Sequence, residues 1–397
     1  MCPVNPNVVD ADLVILGAGC AGLSLAARLA RSSRGQHPRG GHDVIVVDPR
    51  TEYTDDRSWC FWRPERHDLA DLVSHSWSRW RFSDQTGTVA HHRVDGLRYQ
   101  YVRGSDFYSR ARERIAASPS VRLHSGVTAS GIHRDDGVVR VQTDHGELVV
   151  RQVIDTRPRA TDALLYQSFS GVEIESQHPL PFDSGEVGLM DAMAADSEGM
   201  HFRYTLPLDE HRALVEWTRF ARSPVPFDVL AAELGSELAR LGLGRARVIR
   251  REQGVLAMGG ATPGPIPIAG VHLAGVGGGA LRAASGYGFL RMQNWARMCA
   301  ARLDRGEPAI GHPPEPWLRR SMDRLFLQAV RTDPERTPEY FMALAGGVSA
   351  PSLVRFLSDG ARPDDYLRLI AALPTLPFIQ QLFRRPTVDA SFERVAS

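Results

Sequence analysis

The 397-residue chain contains no lysine: all 47 of its basic residues are arginine. That absence excludes a lysine Schiff base, and it excludes a P-loop, whose Lys must reach the phosphates. Cysteine is scarce and scattered. Cys2, Cys20, Cys60 and Cys299 form no CxxC pair and no zinc spacing, as expected of a reduced cytoplasmic protein. An excess of charge is also missing, because 46 acidic residues offset the 47 basic ones to leave a net +1. Without a basic face, no nucleic-acid partner is expected. No apolar run approaches the about 18 residues that a membrane span requires, and the N-terminus lacks the basic start and cleavage site of a signal peptide. The 14 histidines show no HExxH or other ligand spacing, and no GxSxG elbow occurs. Neither a metal centre nor a hydrolytic triad is therefore expected.

What is present is ordinary globular material, 43% apolar with 36 Gly and 26 Pro, long enough for two or three domains at about 100–200 residues each. Residues 12–16 read as a buried strand that runs into Gly17-Ala18-Gly19-Cys20-Ala21-Gly22. An Ala- and Leu-rich helix follows to about residue 30, then a second strand over 43–47 that ends at Asp48. This is the dinucleotide fingerprint in βαβ context. Gly17 permits the tight turn, Gly19 lets a pyrophosphate approach the backbone, and Gly22 lets helix and strand pack closely. The helix N-terminus faces the phosphates, and Asp48 is placed to accept from a ribose hydroxyl.

Three later segments favour FAD over NAD. Residues 101–108, with Arg103, open a helix after a short strand, and 121–126 and 138–150 read as short strands of an added β-layer. Residues 153–157, with Asp155, read as a strand returning to the nucleotide domain. Residues 272–288 then form a second glycine-rich loop containing Gly275, Gly286 and Tyr287, as needed where a long cofactor lies across a split domain. Between these lies an insertion with alternating strands at 201–207 and 213–220, long enough to roof a pocket. After about 312 the pattern turns helical, with candidates at 320–330, 338–345, 351–357 and 366–383. The last is too Pro-broken to span a bilayer, and reads either as core or as a surface that docks on a membrane.

The chemistry centres on residues 212–220. Leu214, Glu216 and Thr218 share one strand face, Val215 and Trp217 the other. If the face of Glu216 looks into an apolar pocket, desolvation keeps its carboxyl protonated and makes it a proton donor to an alkene. Otherwise it is a surface residue paired with Arg203 or Arg219. Upstream, Trp59, Phe61, Trp62, Trp77 and Trp80 form an aromatic concentration that suits either cation stabilisation or core.

At this point the residues resemble a known family, the soluble-type FAD-dependent lycopene β-cyclases of carotenoid-making bacteria. Beyond the generic fingerprint, the likeness rests on Arg57-Ser58-Trp59-Cys60-Phe61, Tyr166–Gly171, His178-Pro179, Leu189-Met190-Asp191, Tyr204–Leu208, Glu252-x-Gly254 and Ser285-Gly286-Tyr287. It covers the chain to about residue 300 and the helical tail more loosely. One departure stands out: where the family commonly has Glu-Asp-Thr or Glu-Glu-Thr, this chain has Glu216-Trp217-Thr218.

The resemblance implies a two-domain α/β FAD-binding fold of the aromatic-hydroxylase, glutathione-reductase-like type. A Rossmann-like nucleotide domain (1–66, 90–160 and 250–311) would be joined to an antiparallel β substrate domain (67–89 and 161–249) and a helical tail (312–397). It implies an isomerase that closes the end groups of lycopene or a related polyene without net redox change, using reduced FAD with NAD(P)H as reductant. Glu216 is then the acid or the stabiliser of the cation, with Asp191 and Arg203 as its expected partners. Gly17, Gly19, Gly22, Asp48, Arg57, Arg103, Asp155, Gly275, Gly286 and Tyr287 would hold the cofactor. A very apolar substrate implies a cytoplasmic protein attached peripherally to a membrane surface. The rival reading on the same scaffold is a redox flavoenzyme, a monooxygenase or polyene desaturase.

Overall fold

The computed structural model describes residues 9–32, 42–159, 162–260, 264, 266–374, 377, 378 and 380. The chain opens with β1 (Ala11–Leu16), α1 (Cys20–Ser32) and β2 (Val44–Asp48), then β3 (Ser58–Arg63), β4 (Val73–Trp77), β5 (Arg79–Asp84), β6 (Val89–Arg93) and β7 (Arg98–Arg103). Next come α2 (Gly104–Ala116), β8 (Val121–Ser125), β9 (Ala129–Asp135), β10 (Val138–Thr143) and β11 (Gly146–Asp155). The insertion supplies β12 (Leu165–Glu175), β13 (Glu186–Asp196), β14 (Gly199–Pro207), β15 (Arg212–Ala221), α3 (Phe227–Arg240) and β16 (Arg247–Met258). After β17 (Val271–Leu273) the chain is helical: α4 (Phe289–Asp304), α5 (Trp317–Thr332), α6 (Thr337–Gly347), α7 (Ala350–Leu357) and α8 (Pro363–Ala372).

The first sheet has the order β8-β2-β1-β11-β10-β9, with β17 also on β11. Its β8, β2, β1, β11 and β17 are parallel, whereas β9 and β10 are antiparallel additions. A parallel sheet is covered on both faces, so its strands are apolar throughout rather than alternating. On β1, Leu13 and Ile15 join a cluster with Leu23, Phe107 and Trp295 of α1, α2 and α4, while Val14 and Leu16 pack with Val139, Val141 and Val153 on the other side. Sequence patterning separates 138–150 from a returning strand at 153–157. Instead β11 is one continuous strand, because its first half pairs with β10 and its second half with β1.

The second sheet runs β16-β12-β15-β14-β13-β5-β6, antiparallel except where β13 meets β5. One face carries α3, with Val215 and Trp217 packed on Leu230 and Leu234. The other carries Leu214, Phe202 and Phe220 toward the C-terminal helices. The boundary expected at 249/250 falls inside β16, which belongs to this sheet along its whole length by pairing with β12. Likewise β6 extends past 89 as the sheet's edge. A small sheet, β3-β7-β4, stands between the two bodies. Its Phe61 and Val102 enter the nucleotide-side core, and its Trp62, Tyr99 and Tyr101 enter the core of the second body.

Candidate active site

The carboxyl ends of the parallel strands make the first half of the site. Gly17 (φ +95°) turns the chain out of β1, and a Cβ on Gly22 would lie 1.9 Å from Gly17 O, so only glycine lets α1 approach the strand this closely. No protein atom lies within 4 Å of where a Cβ of Gly19 would be. This open space, beside a helix N-terminus whose first turn has no acidic residue, fits a dinucleotide pyrophosphate. Gly275 (φ +64°) brings the second loop onto Ala21 and Thr156. Thr156 is a hub that sequence reasoning missed. Its hydroxyl donates to Leu16 O (2.8 Å) and Gly17 O (3.0 Å), and Gly17, Gly22 and Gly275 all close on it.

The second half is a cavity of about 680 Å³ between the second sheet, the β3-β7 wall, the loop at 284–288 and the helices α5–α8. Its lining is mostly aromatic and aliphatic, and besides Asp56 and Asp323, which pair with Arg57 and Arg282, the carboxyl groups in it are Glu216 and Glu252. Glu216 on β15 and Glu252 on β16 both stand opposite Gly171 on the intervening β12. Glu252 Oε2 accepts from Ser58 Oγ (2.7 Å) and from Arg250 Nη1 (2.8 Å). Burial, the neighbouring Glu252 charge and a hydrogen bond with Glu252 push the Glu216 carboxyl well above the usual carboxylate range, against a smaller pull from Arg250. This environment favours the protonated form of the carboxyl.

Around this acid the wall is phenolic and indolic. Tyr99 OH lies 3.0 Å from Tyr204 OH and 3.2 Å from Tyr287 OH, and the Trp62 ring packs 4.7 Å from Tyr99 and 5.5 Å from Tyr287. Desolvation holds all three phenols protonated, and burial likewise keeps the Cys60 thiol from ionising. The site therefore sets a carboxyl of raised proton affinity, Glu216, among aromatic faces and an apolar lining. That combination suits generation and protection of a carbocation.

Residues 12–383 match the family described as lycopene cyclase protein. The chain belongs to the lycopene cyclase family. It is 28% identical over 273 residues to a lycopene beta-cyclase of Pseudescherichia vulneris, covering 65% of this chain and 62% of that protein. It is 24% identical over 333 residues to a chromoplastic capsanthin/capsorubin synthase of Citrus sinensis, covering 75% and 62%. The match thus spans under two thirds of the length of these relatives.

Among solved structures, a geranylgeranyl bacteriochlorophyll reductase-like protein from Thermoplasma acidophilum superposes with TM-score 0.57 at 12% identity, covering 94% of this chain and 98% of that one. A p-nitrophenol 4-monooxygenase from Pseudomonas putida gives TM-score 0.58 at 13% identity, covering 94% and 99%. At such identities the likeness fixes the fold alone, the two-domain α/β fold shared with these proteins.

The residues singled out in the sequence fall into three groups in this family member. Gly17, Gly19, Gly22 and Gly275 converge at the sheet edge, while Arg57, Glu216, Gly286 and Tyr287 line the cavity. Asp48, Arg103 and Asp155 are occupied by protein partners. Asp48 accepts from Ala18 N (2.5 Å) and Arg50 N (2.9 Å), so it braces the glycine turn. Arg103 pairs with Asp55, and Asp155 with Arg157 (2.9 Å).

Glu216 pairs with neither Arg203 nor Arg219. Asp191 and Arg203 do not stand beside it but join each other, Arg81 and Glu237 in an ion-pair network outside the cavity lining. Trp217 points the other way, its indole N–H donating to Glu233 (2.8 Å). Of the upstream tryptophans, Trp59 and Trp62 line the cavity, while Trp77 and Trp80 are core. Glu252 was missed as a site residue, although the Glu252-x-Gly254 pattern marks it. The 366–383 segment is helical to 372, and most of residues 373–383 lie outside the described residues.

Proposed function

We propose that this chain is a carotenoid cyclase, closing a linear end group of lycopene or a related polyene to a β-ionone ring by a non-redox isomerisation, with reduced FAD as cofactor. The observation that carries the reading is the placement of the Glu216 carboxyl inside an apolar, aromatic cavity, where burial and the neighbouring Glu252 favour its protonated form. Glu216 gives its proton to the terminal alkene, leaving a tertiary cation. The next alkene attacks that carbon and forms the six-membered ring. A base then takes a proton from the adjacent ring carbon and sets the ring double bond; one proton is added and one removed, so product and substrate have the same atoms.

The aromatic faces of Trp62, Tyr99 and Tyr204 stabilise the cation, and the dry lining withholds the water that would quench it. Gly17, Gly19, Gly22 and Gly275 would admit the dinucleotide, with Arg57, Gly286 and Tyr287 beside the ring system. When bound, reduced FAD supplies negative charge that favours the cation, and NAD(P)H is the expected source of its electrons.

Access from a membrane surface, with the protein otherwise cytoplasmic, is supported by Trp317 (71% exposed), Leu318, Leu367 and Ile370 (58% exposed) on α5 and α8. Ile370 also lines the cavity. Among the described residues no helix is long and apolar enough to cross a bilayer. Co-sedimentation with liposomes checks this contact, and its absence with both neutral and anionic lipid refutes it.

The test of activity is anaerobic incubation of the protein with FAD, NADPH and lycopene in detergent. The expected product is isobaric with lycopene, blue-shifted in absorbance, formed without stoichiometric NADPH use and lost in Glu216→Gln. A product heavier by oxygen on admitting air, or lighter by two hydrogens, would assign a redox enzyme instead.

A further inference from the structure

Four neighbouring strands set Tyr204, Glu216, Gly171 and Glu252 in one row, Tyr204 opposite Glu216 and Gly171 opposite both glutamates. Positions two strands apart are separated by about 10 Å of backbone, too far for two glutamates to meet over an ordinary side chain. Gly171 removes that obstacle. Its backbone is not in the left-handed region that would demand glycine. Yet a Cβ there would come 2.6 Å from Glu216 Cγ and 3.2 Å from Glu252 Cγ. Glycine at 171 is therefore explained by the carboxyl pair leaning over it.

The pair is not symmetric. Glu252 is 5% exposed, and its Oε2 is taken by Ser58 and Arg250. Its Oε1 is buried with no hydrogen-bond partner among the described residues, and the Glu216 side chain closes on the same Gly171 position. Charge counting around the pair points the same way. Arg250 touches Glu252, Glu173 and Asp55; Arg212 pairs with Glu173, and Arg103 with Asp55. Three guanidinium groups thus meet three carboxylates. The remaining cation, Arg57, is turned to Asp56 and to the Gln253 carbonyl. The other groups facing the pair are Cys60 and the phenols Tyr99, Tyr101, Tyr204 and Tyr287, all held neutral by burial. A charge on Glu216 would be a fourth negative with no cation of its own. Two carboxylates in contact cannot both ionise, and the one fixed by Arg250 is Glu252.

We propose that Glu252 is the positioning residue of the proton donor: across the gap at Gly171 its carboxylate holds the reactive proton on Glu216, facing the substrate space. This rests on the reading of Glu216 as the acid. Burial and the Glu252 charge act in the same direction on Glu216.

The test is an infrared titration of the protonated-carboxyl band in the purified protein without substrate, beside the pH profile of cyclisation. In the wild type the band persists through neutral pH and disappears in Glu216→Gln. In Glu252→Gln its midpoint moves down by about one pH unit or more, a tenfold change in proton affinity. The alkaline limb of the activity profile moves by the same amount, because the acid form is the active one. Gly171→Ala, which keeps both glutamates in the chain but whose methyl group pushes their side chains apart, moves both in the same direction and serves if the charge variant fails to fold. Retained FAD content and melting temperature separate these shifts from a damaged fold. Unchanged titration and unchanged alkaline limb in both variants would overturn the proposal. If the titration shifts but wild-type protein forms no isobaric product, the pair stands and the cyclase reading falls; if Glu216→Gln abolishes cyclisation while Glu252→Gln shifts nothing, the reverse holds.

Discussion

The roof of the cavity is latched to the second glycine loop by one buried ion pair, and breaking it should loosen the roof measurably. Arg282 on that loop is 1% exposed and Asp323 on α5 is 2% exposed. Two N–H···O contacts of 3.2 and 3.1 Å join them. The same guanidinium donates to Phe356 O on α7 and lies 4.0 Å over the Phe356 ring. Removing one partner of a buried pair costs about 3–5 kcal/mol, because the other charge is left uncompensated. Here Asp359 stands 3.9 Å from Arg282 and is 27% exposed, so partial compensation favours the lower end. For Asp323→Asn, about 3 kcal/mol of local opening free energy corresponds to roughly a hundredfold faster amide exchange where opening limits exchange. The assay is hydrogen–deuterium exchange resolved by peptide, with acceleration expected in α5 and α7 and none in α1. The double variant Arg282→Met with Asp323→Leu should recover most of the protection, since an apolar pair of similar volume replaces the charges. Acceleration below about threefold in α5 and α7 would refute the latch.

Gly19→Ala should leave the fold intact, because its methyl group would meet no protein atom within 4 Å, yet weaken FAD binding by about tenfold or more by closing the backbone approach; flavin retained per protein at unchanged melting temperature checks this, and full flavin content would place the pyrophosphate elsewhere. Trp217→Phe should cost about 1 kcal/mol through its lost hydrogen bond to Glu233, read by urea unfolding, and leave the product identical. A changed ring type or number of rings in that variant would return Trp217 to the site.

The nucleotide half was legible because its signals are local. The spacing of Gly17, Gly19 and Gly22 between apolar strands encodes a turn, a helix start and a close packing within thirty residues of chain. The period-two pattern of β15 was equally readable, and it sorted Glu216 and Thr218 onto the cavity side and Trp217 onto α3. What local pattern cannot supply is the partner of a charge. Arg103 and Asp155 look free as single letters, yet Asp55 and Arg157 occupy them. Asp191 and Arg203 were expected beside Glu216 as its partners. The sheet nevertheless turns them into their own network with Arg81 and Glu237.

The carboxyl pair shows the same limit most sharply. Glu252 lies 36 positions from Glu216 and 81 from Gly171, and only register puts the three in one row. A one-residue slip of β16 against β12 would turn Glu252 to the opposite face. The site thus depends on the ladder that pairs Leu165 with Met258 at one end and Glu175 with Arg247 at the other, through a bulge after Glu173. That bulge lies beyond the row on the Glu175 side, so the pairs from Gly171 back to Leu165 stay in phase. An acidic residue after Glu216, as the family resemblance leads one to expect, would in this chain face α3 at position 217. Tryptophan at 217 therefore leaves the glutamate pair of the cavity, Glu216 and Glu252, as it is. The proton chemistry of this site is therefore set by the pairing of β15, β12 and β16, and not by the sequence immediately around Glu216.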